Sequence, residues 1–314
     1  MGYSARARGD PGHPYFSVPG KVWLSWPRFS TSCRWISYPL LAFAMHFTLT
    51  LFTNDPDLAA AADRAGVDRI GLDLDHIGKH ERQLQLTGNR INRHRPEQLE
   101  AVRDRLTSAA AFCRTNPIHP GSADEIEQVL RLGAQVLMLP MFRATDEVQT
   151  FVDLVAGRAR VVLLLEHMDA VRVLGEILAI PGIDEIHVGL NDLALSLGEA
   201  VAGRWDVLNG ELLARISRQV RSTGVPFHLG GLGRSRQNDI PLPSDLVYAQ
   251  WPRLGASGAI LAQVFFRPDW REIDLSAEVE ASRRRLSEFS AMSSEDLEQA
   301  RIALQWWIRH VANP

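Results

Sequence analysis

Lysine is nearly missing from this chain. Of its 34 lysine and arginine residues only two are lysines, Lys21 and Lys79. Neither falls in a stretch that reads as a core strand. Schiff-base chemistry needs a desolvated amine among the reacting groups, and the sequence offers no such lysine, so carbonyl chemistry here would need a metal. Cysteine is as scarce. Cys33 and Cys113 alone cannot build a disulfide framework, and they fit a reducing, cytoplasmic setting. No apolar run approaches the roughly 20 residues that span a bilayer, so no membrane contact is expected. The formal net charge of −3 leaves no cationic excess for nucleic acid.

What is present is an alternation. Of the 314 residues, 46% are hydrophobic, enough for a large core. The stretch 160–193 sets the pattern. An apolar run, Val161–Leu165, stops at Glu166; a helical pattern and a Pro181–Gly182 break follow; a second run, Ile183–Val188, leads through Gly189, Leu190 and Asn191 to Asp192. Short apolar runs of this kind are buried parallel strands. Others are predicted at 47–52, 68–73, 109–114, 135–139, 225–229 and 258–263, which with 160–165 and 184–188 makes eight. Amphipathic helical segments fall between them at Asp57–Ala65, Ala123–Leu132, Asp146–Val155 and Leu208–Thr223. Asn54–Asp55–Pro56 is a helix-entry signal, and Gly66, Gly133 and Gly224 stand where helices should stop. Eight βα units predict an α/β fold, a (β/α)8 TIM barrel with a C-terminal helical extension.

Three regions are expected. Residues 1–44 carry five basic residues, one acid and no clear period. They read as a disordered extension or as translation from upstream of the true start, with Met45 directly before the first strand. Residues 45–268 form the barrel. Residues 269–314 form helices at about 275–289 and 294–311, the second capped by Ser293 or Ser294. Its Ala300, Leu304, Trp307 and Val311 share one face, widened by Trp306. Either the chain's own barrel or a neighbouring subunit should cover that face, and a homo-oligomer is expected.

In a βα barrel the reacting groups gather at the carboxyl ends of the strands. Asp73, Asp75 and His76 follow strand two, and Arg114 ends strand three. Glu166 follows strand five, and Asp192 follows strand six. Two carboxylates on neighbouring strand ends can share a hard divalent cation and leave positions for water and substrate, as magnesium and, by similar logic, manganese are held. A 2-oxo acid could fill two of those positions, the ion then stabilising an enolate. Asp192 could instead cap the next helix. Arg114 could hold the enolate oxygen or form a salt bridge to a helix. His76 could act as general base, its ring oriented and its pKa raised by the acids beside it. The glycines at 230–233 suggest an anion cradle, with Arg234, Arg236 and Arg143 near a distal anionic group. Cys113 reads as a buried thiol. His167 and His187 adjoin the site in sequence, yet strand alternation could turn either away, and His80 and His119 are loop residues without a pattern.

These motifs, in this order, resemble the HpcH/HpaI aldolase and citrate lyase family of metal-dependent barrels, which act on pyruvate or acyl-CoA units. The resemblance runs from about Phe47 to Phe266. Asp73–Leu74–Asp75–His76 is similar to its acid-x-acid-His turn, whose histidine takes part in proton transfer. Cys113–Pro117 is similar to its strand-three arginine motif, and Met138–Leu139–Pro140–Met141 to its strand-four run. Glu166 and Gly189–Leu193 are similar to its two metal-ligand motifs. The resemblance implies magnesium, manganese or cobalt on Glu166 and Asp192, and Arg114 on the keto oxygen. It also implies a pyruvate carboxylate on backbone amides of the Gly189 turn near Asn191 and Asp192. It implies C-terminal helices that pack on a neighbour. Leu164, Leu190 and Arg131 depart from the family's usual glutamine, proline and acid, which bears on the substrate and on the proton relay.

The expected activity is therefore a class II aldolase or lyase, His76, Arg114 and Asp73 serving the reaction, with a small-molecule 2-oxo acid and an aldehyde as partners. The alternatives are a CoA-ester lyase of the citrate or malyl type and a non-catalytic barrel acting as a binding or assembly module.

Overall fold

All eight predicted strands form, and they close on themselves. The computed structural model describes residues 46–79, 94–236, 242–267 and 269–312; the expectations for residues 1–44 and for His80 lie outside them. The strands are β1 (Thr48–Phe52), β2 (Arg69–Asp73), β3 (Ala110–Arg114), β4 (Val136–Leu139), β5 (Arg160–Leu165), β6 (Glu185–Val188), β7 (Phe227–Leu232) and β8 (Gly258–Leu261). They pair in chain order into a closed barrel, each parallel to its neighbours, with β8 against β1. This is a (β/α)8 barrel with helices between the strands and a helical C-terminal extension.

The local signals explain the helices. Asp55 caps the helix Pro56–Arg64, its carboxylate accepting from the amides of Asp57 and Leu58, and Pro56 occupies the first turn, where a missing N–H costs nothing. Gly66, Gly133 and Gly224 take φ of +86°, +95° and +82°, the left-handed turn that ends a helix before the next strand. Two expectations need correction. The helix foreseen over Leu208–Thr223 is two, Arg204–Asn209 and Glu211–Ser222, because the chain breaks at Gly210. The glycines at 230–233 are not a free turn. Gly230 and Gly231 lie within β7, whose register against β8 shifts between Leu229 and Leu232, and the Gly233 carbonyl accepts from the Tyr248 hydroxyl at 2.6 Å.

Side chains alternate across a strand, and the barrel interior divides into two unlike halves. On one side Phe112, Val136, Met138, Val162 and Leu164 form a closed apolar cluster with Phe52, Ala110 and Ile260. On the other, β6 sends Glu185 and His187 inward, while Ile186 and Val188 join the layer beneath the helices. Glu185 is 2% exposed. It accepts from both terminal nitrogens of Arg69, from Arg160 at 2.9 Å, and lies 3.4 Å from His228 Nδ1. The His187 and His228 rings meet edge to face at 6.1 Å between centroids. His187 is thus a barrel-interior residue. Burial pushes its imidazole well below the usual histidine range, and pushes His228 down to about 4 against the pull of Glu185.

The tail helices run Leu275–Ser290 and Ser294–Trp307, the second capped by Ser293. Arg283 donates to the carbonyls of Phe47 and Gly66 and to the Asp68 carboxylate, which ties the tail to the strand-entry face of the barrel. Leu297, Ala300, Leu304 and Ile308 are buried, so the chain itself covers the Ala300 and Leu304 part of that face. Trp307 is half-buried, while Trp306 and Val311 are exposed and Trp306 stacks on His310. No helix among the described residues is long and apolar enough to cross a membrane.

Candidate active site

The centre of the strand-exit rim is Asp73. It ends β2 in direct register with Arg114 at the end of β3. Arg114 donates twice, Nε to Oδ1 at 2.8 Å and Nη2 to Oδ2 at 2.7 Å. Lys79 Nζ adds a third bond, to Oδ2 at 2.8 Å, and lies 3.6 Å from Asp75 Oδ2. Burial alone would raise the Asp73 carboxyl; the Arg114 and Lys79 charges and hydrogen bonds hold it well below the usual carboxylate range instead. The converse holds for Arg114. Burial disfavours its charge, but Asp73, Asp75 and Glu166 more than restore it. The guanidinium also lies 5.0 Å from the centre of the Phe52 ring, at the end of β1, so its plane is fixed from two sides.

Glu166 follows β5 and is 3% exposed. Its Oε1 accepts from the Met141 amide at 3.1 Å, and Met141 reaches that geometry at φ +53°, a backbone state that costs a non-glycine residue energy and that clusters at functional sites. The other oxygen lies against Gly189. A Cβ built there would stand 2.5 Å from Glu166 Oε2, so only glycine lets the β5 carboxylate lie over the end of β6. Gly189 is also the N-cap of the helix Leu190–Leu197, whose first turn holds Asn191 and Asp192. Asp192 is therefore not the cap, which settles that alternative. The first amide bonded within this helix is that of Leu193, to the Gly189 carbonyl at 3.1 Å, so the amides of residues 190–192 head the helix as donors.

His76 is exposed and is oriented by backbone, not by the acids that flank it. Its Nδ1 is 2.8 Å from the Leu74 carbonyl. A carbonyl only accepts, so Nδ1 carries the proton and Nε2 is the acceptor in the neutral ring. The expectation that Asp73 or Asp75 would aim this ring is corrected: those carboxylates face Arg114 and Lys79.

The other sequence candidates are placed as follows. Arg234 lies beyond β7 and donates to the Arg267 carbonyl at 3.0 Å. Arg143 is exposed after β4, and Arg236 is exposed beyond β7. Cys113 is a free, fully buried thiol, its pKa pushed well up by burial, and is inert. Two residues that sequence reading missed join the site. Lys79 is 4% exposed, and its amine is engaged by two carboxylates. His94 accepts from the Asp73 amide through Nδ1 at 3.0 Å. The scarcity of lysine was the one signal for Lys79, since a single lysine in the barrel region, six residues after Asp73, invites a role; nothing in the sequence marked His94.

The donor set suits a hard divalent ion. Among the described residues no group of three or more His, Cys, Asp and Glu is arranged to hold a metal. Glu166 follows β5 and Asp192 stands in the first turn of the helix that follows β6; both are hard oxygen donors of the kind that hold magnesium when substrate and water supply the remaining positions.

A closed (β/α)8 barrel with a buried carboxylate–guanidinium pair at its strand-exit rim, and further carboxylates after β5 and β6, defines the class. The chain belongs to the HpcH/HpaI aldolase/citrate lyase family, whose sequence model matches residues 47–229, so a general lyase function is supported. An HpcH/HpaI aldolase from Desulfitobacterium hafniense DCB-2 has a similar structure, with 15% sequence identity and a TM-score of 0.53, covering 69% of this chain and 86% of the other. A citrate synthase variant, SbnG, aligns with 18% identity and a TM-score of 0.48, covering 76% of this chain and 95% of the other. No curated protein matches this sequence.

Proposed function

We propose that the protein is a divalent-metal-dependent carbon–carbon lyase acting beside a 2-oxo acid, releasing pyruvate and an aldehyde from a 4-hydroxy-2-oxo acid or joining them in reverse. The observation that carries this reading is the seating of Glu166 over Gly189, at the head of the helix that holds Asp192, across from an Arg114 locked to Asp73. Glu166 and Asp192 would hold magnesium, manganese or cobalt. Bound there, the ion would supply Lewis-acid stabilisation of the developing enolate charge.

The chain's own groups have separate tasks. The amides of residues 190–192 receive the substrate carboxylate. Arg114 donates to the keto oxygen at C2, and its grip on Asp73 keeps that donor from reorienting as charge grows. His76 Nε2 takes the proton of the C4 hydroxyl. The C3–C4 bond then breaks, the aldehyde leaves, its electron pair passes to the C2 enolate, and a proton added at C3 completes pyruvate. Lys79 is held by Asp73 and Asp75 and acts as a donor within the cluster, not as a nucleophile.

The test is pyruvate release from short 4-hydroxy-2-oxo acids with added manganese, repeated after exhaustive chelation. Loss of release on chelation and its return with manganese are expected. Release that survives chelation, or a borohydride-trapped adduct on Lys79, overturns the reading. Saturable binding of acetyl-CoA with no release from free acids would move the substrate to the CoA-ester class.

A further inference from the structure

The turn that carries His76 is held by a chain of hydrogen bonds that begins outside the site. The Asn116 carboxamide oxygen accepts from the backbone amides of both His76, at 3.0 Å, and Ile77, at 3.1 Å. The orientation of Asn116 is fixed from its other end. Its Nδ2 donates to Glu125 Oε2 at 3.1 Å, and its own backbone amide donates to Glu125 Oε1 at 2.8 Å. Glu125 thereby grips Asn116 at two points, and only one placing of the amide's oxygen and nitrogen satisfies all four bonds. His119 sets the far end. Its Nδ1 accepts from the Gly121 amide at 3.1 Å, so Nε2 carries the proton and donates to Glu125 Oε2 at 2.9 Å. Asn116 is 5% exposed and precedes Pro117, which biases its backbone to extended geometry. The direction of every hydrogen bond from His119 to His76 is thus determined.

Sequence reading gave His119 and Glu125 no role. Neither ends a strand: Glu125 stands in the first turn of the helix Ser122–Arg131, and His119 in the loop between β3 and that helix. They reach the site only through Asn116.

We infer that Asn116, oriented by Glu125 and His119, is a positioning residue for His76, fixing the turn that presents His76 Nε2 to the substrate's C4 hydroxyl. The inference rests on the lyase reading above. Asn116 touches no substrate, and its effect on the reaction passes through His76 alone. A 1 Å displacement of a proton acceptor costs on the order of a hundredfold in rate, so a freed turn lowers kcat while leaving the carboxylate-binding amides at 190–192 and Arg114 in place.

The experiment is a double-mutant cycle on full-length protein loaded with manganese. Asn116→Ala is expected to lower kcat for pyruvate release about ten- to a hundredfold with KM within about threefold. In a His76→Ala background the same substitution should change kcat by less than about twofold, because its route of action is already gone. Glu125→Gln, which keeps the side chain's size, should reproduce the kcat loss in milder form and stands in if Asn116→Ala folds poorly. Amide hydrogen exchange at His76 and Ile77 should accelerate at least tenfold in both variants, and this readout is independent of turnover. Equal kcat losses in the two backgrounds, or unchanged exchange at both amides, overturn the inference. A wild-type protein that releases no pyruvate while Asn116→Ala still frees the two amides removes the lyase reading and with it the kinetic role of Asn116.

Discussion

Arg114 and Asp73 close adjacent strands in direct register, and the guanidinium meets the carboxylate at two points, 2.8 and 2.7 Å. A lysine at 114 could reach one oxygen but could not reproduce this planar two-point grip. The donor facing the keto oxygen would then be free to swing. Arg114→Lys is expected to lower kcat/KM for pyruvate release by about 10²- to 10³-fold, with thermal stability close to wild type because Lys79 still pairs with Asp73. Parallel kinetics and melting curves check this; kcat/KM within threefold of wild type would show that Arg114 does not face the reacting oxygen.

Gly189 is the second sharp constraint. Its backbone sits at φ −88° and ψ 100°, a conformation alanine adopts freely. The effect of Gly189→Ala is therefore steric and local: the new Cβ would stand 2.5 Å from Glu166 Oε2 and must move that carboxylate. Manganese affinity, read by electron paramagnetic resonance, is expected to fall at least tenfold with circular dichroism unchanged. Unaltered manganese binding would show that Glu166 is not a ligand.

Much of this was legible in the chain, for a physical reason. A parallel strand buried on both faces must be apolar along its length, so Val161–Leu165 and its counterparts announce themselves, and the residue at which each run stops is a rim residue. Arg114, Glu166 and Asp73 were found that way. Lys79, His94 and Asn116 were not, because their roles arise between separate loops. Lys79 matters through Asp73, and Asn116 through the His76 turn forty residues earlier in the chain. No local period records such a pairing. The charged half of the interior was hidden differently. Glu185 and His187 lie in a strand whose position was clear, but which face each took depended on β2 and β7 supplying Arg69 and His228.

That interior pair has a measurable cost when halved. Glu185 and Arg69 are both buried; burial pushes the Glu185 carboxyl up, while the Arg69 hydrogen bond and the Arg69 and Arg160 charges hold it below its usual range. Removing one partner strands the other's charge in a medium that cannot solvate it, at about 3–5 kcal/mol. Glu185→Ala should lower unfolding free energy by that amount in urea titration. The double variant Arg69→Met, Glu185→Leu should lose less than Glu185→Ala alone. A double variant that loses as much as the two single changes added together would show that the residues do not act as a pair.

The same interior predicts how stability depends on pH. Held neutral in the folded barrel, His228 protonates there only near pH about 4, whereas in the unfolded chain it does so near about 6.5. Unfolding therefore takes up a proton between those values, and stability falls as the pH drops through that window. His187, its pKa also pushed well down by burial, acts in the same sense. The carboxylates Asp73, Asp63 and Glu185, all held below their usual range, lose their contributions mainly at more acid pH, so the interval from pH 7 to 5 reports the imidazoles. The groups acting on His228, namely Glu185, Arg69 and Arg160, keep their charges across it. The full shift of His228 corresponds to a loss on the order of 3 kcal/mol, of which the greater part should appear by pH 5. Urea midpoints measured at pH 7, 6 and 5 should decline, and His228→Asn, which cannot take up the proton, should flatten that decline. A wild-type midpoint constant over this range would show that the barrel interior accommodates a charged imidazole.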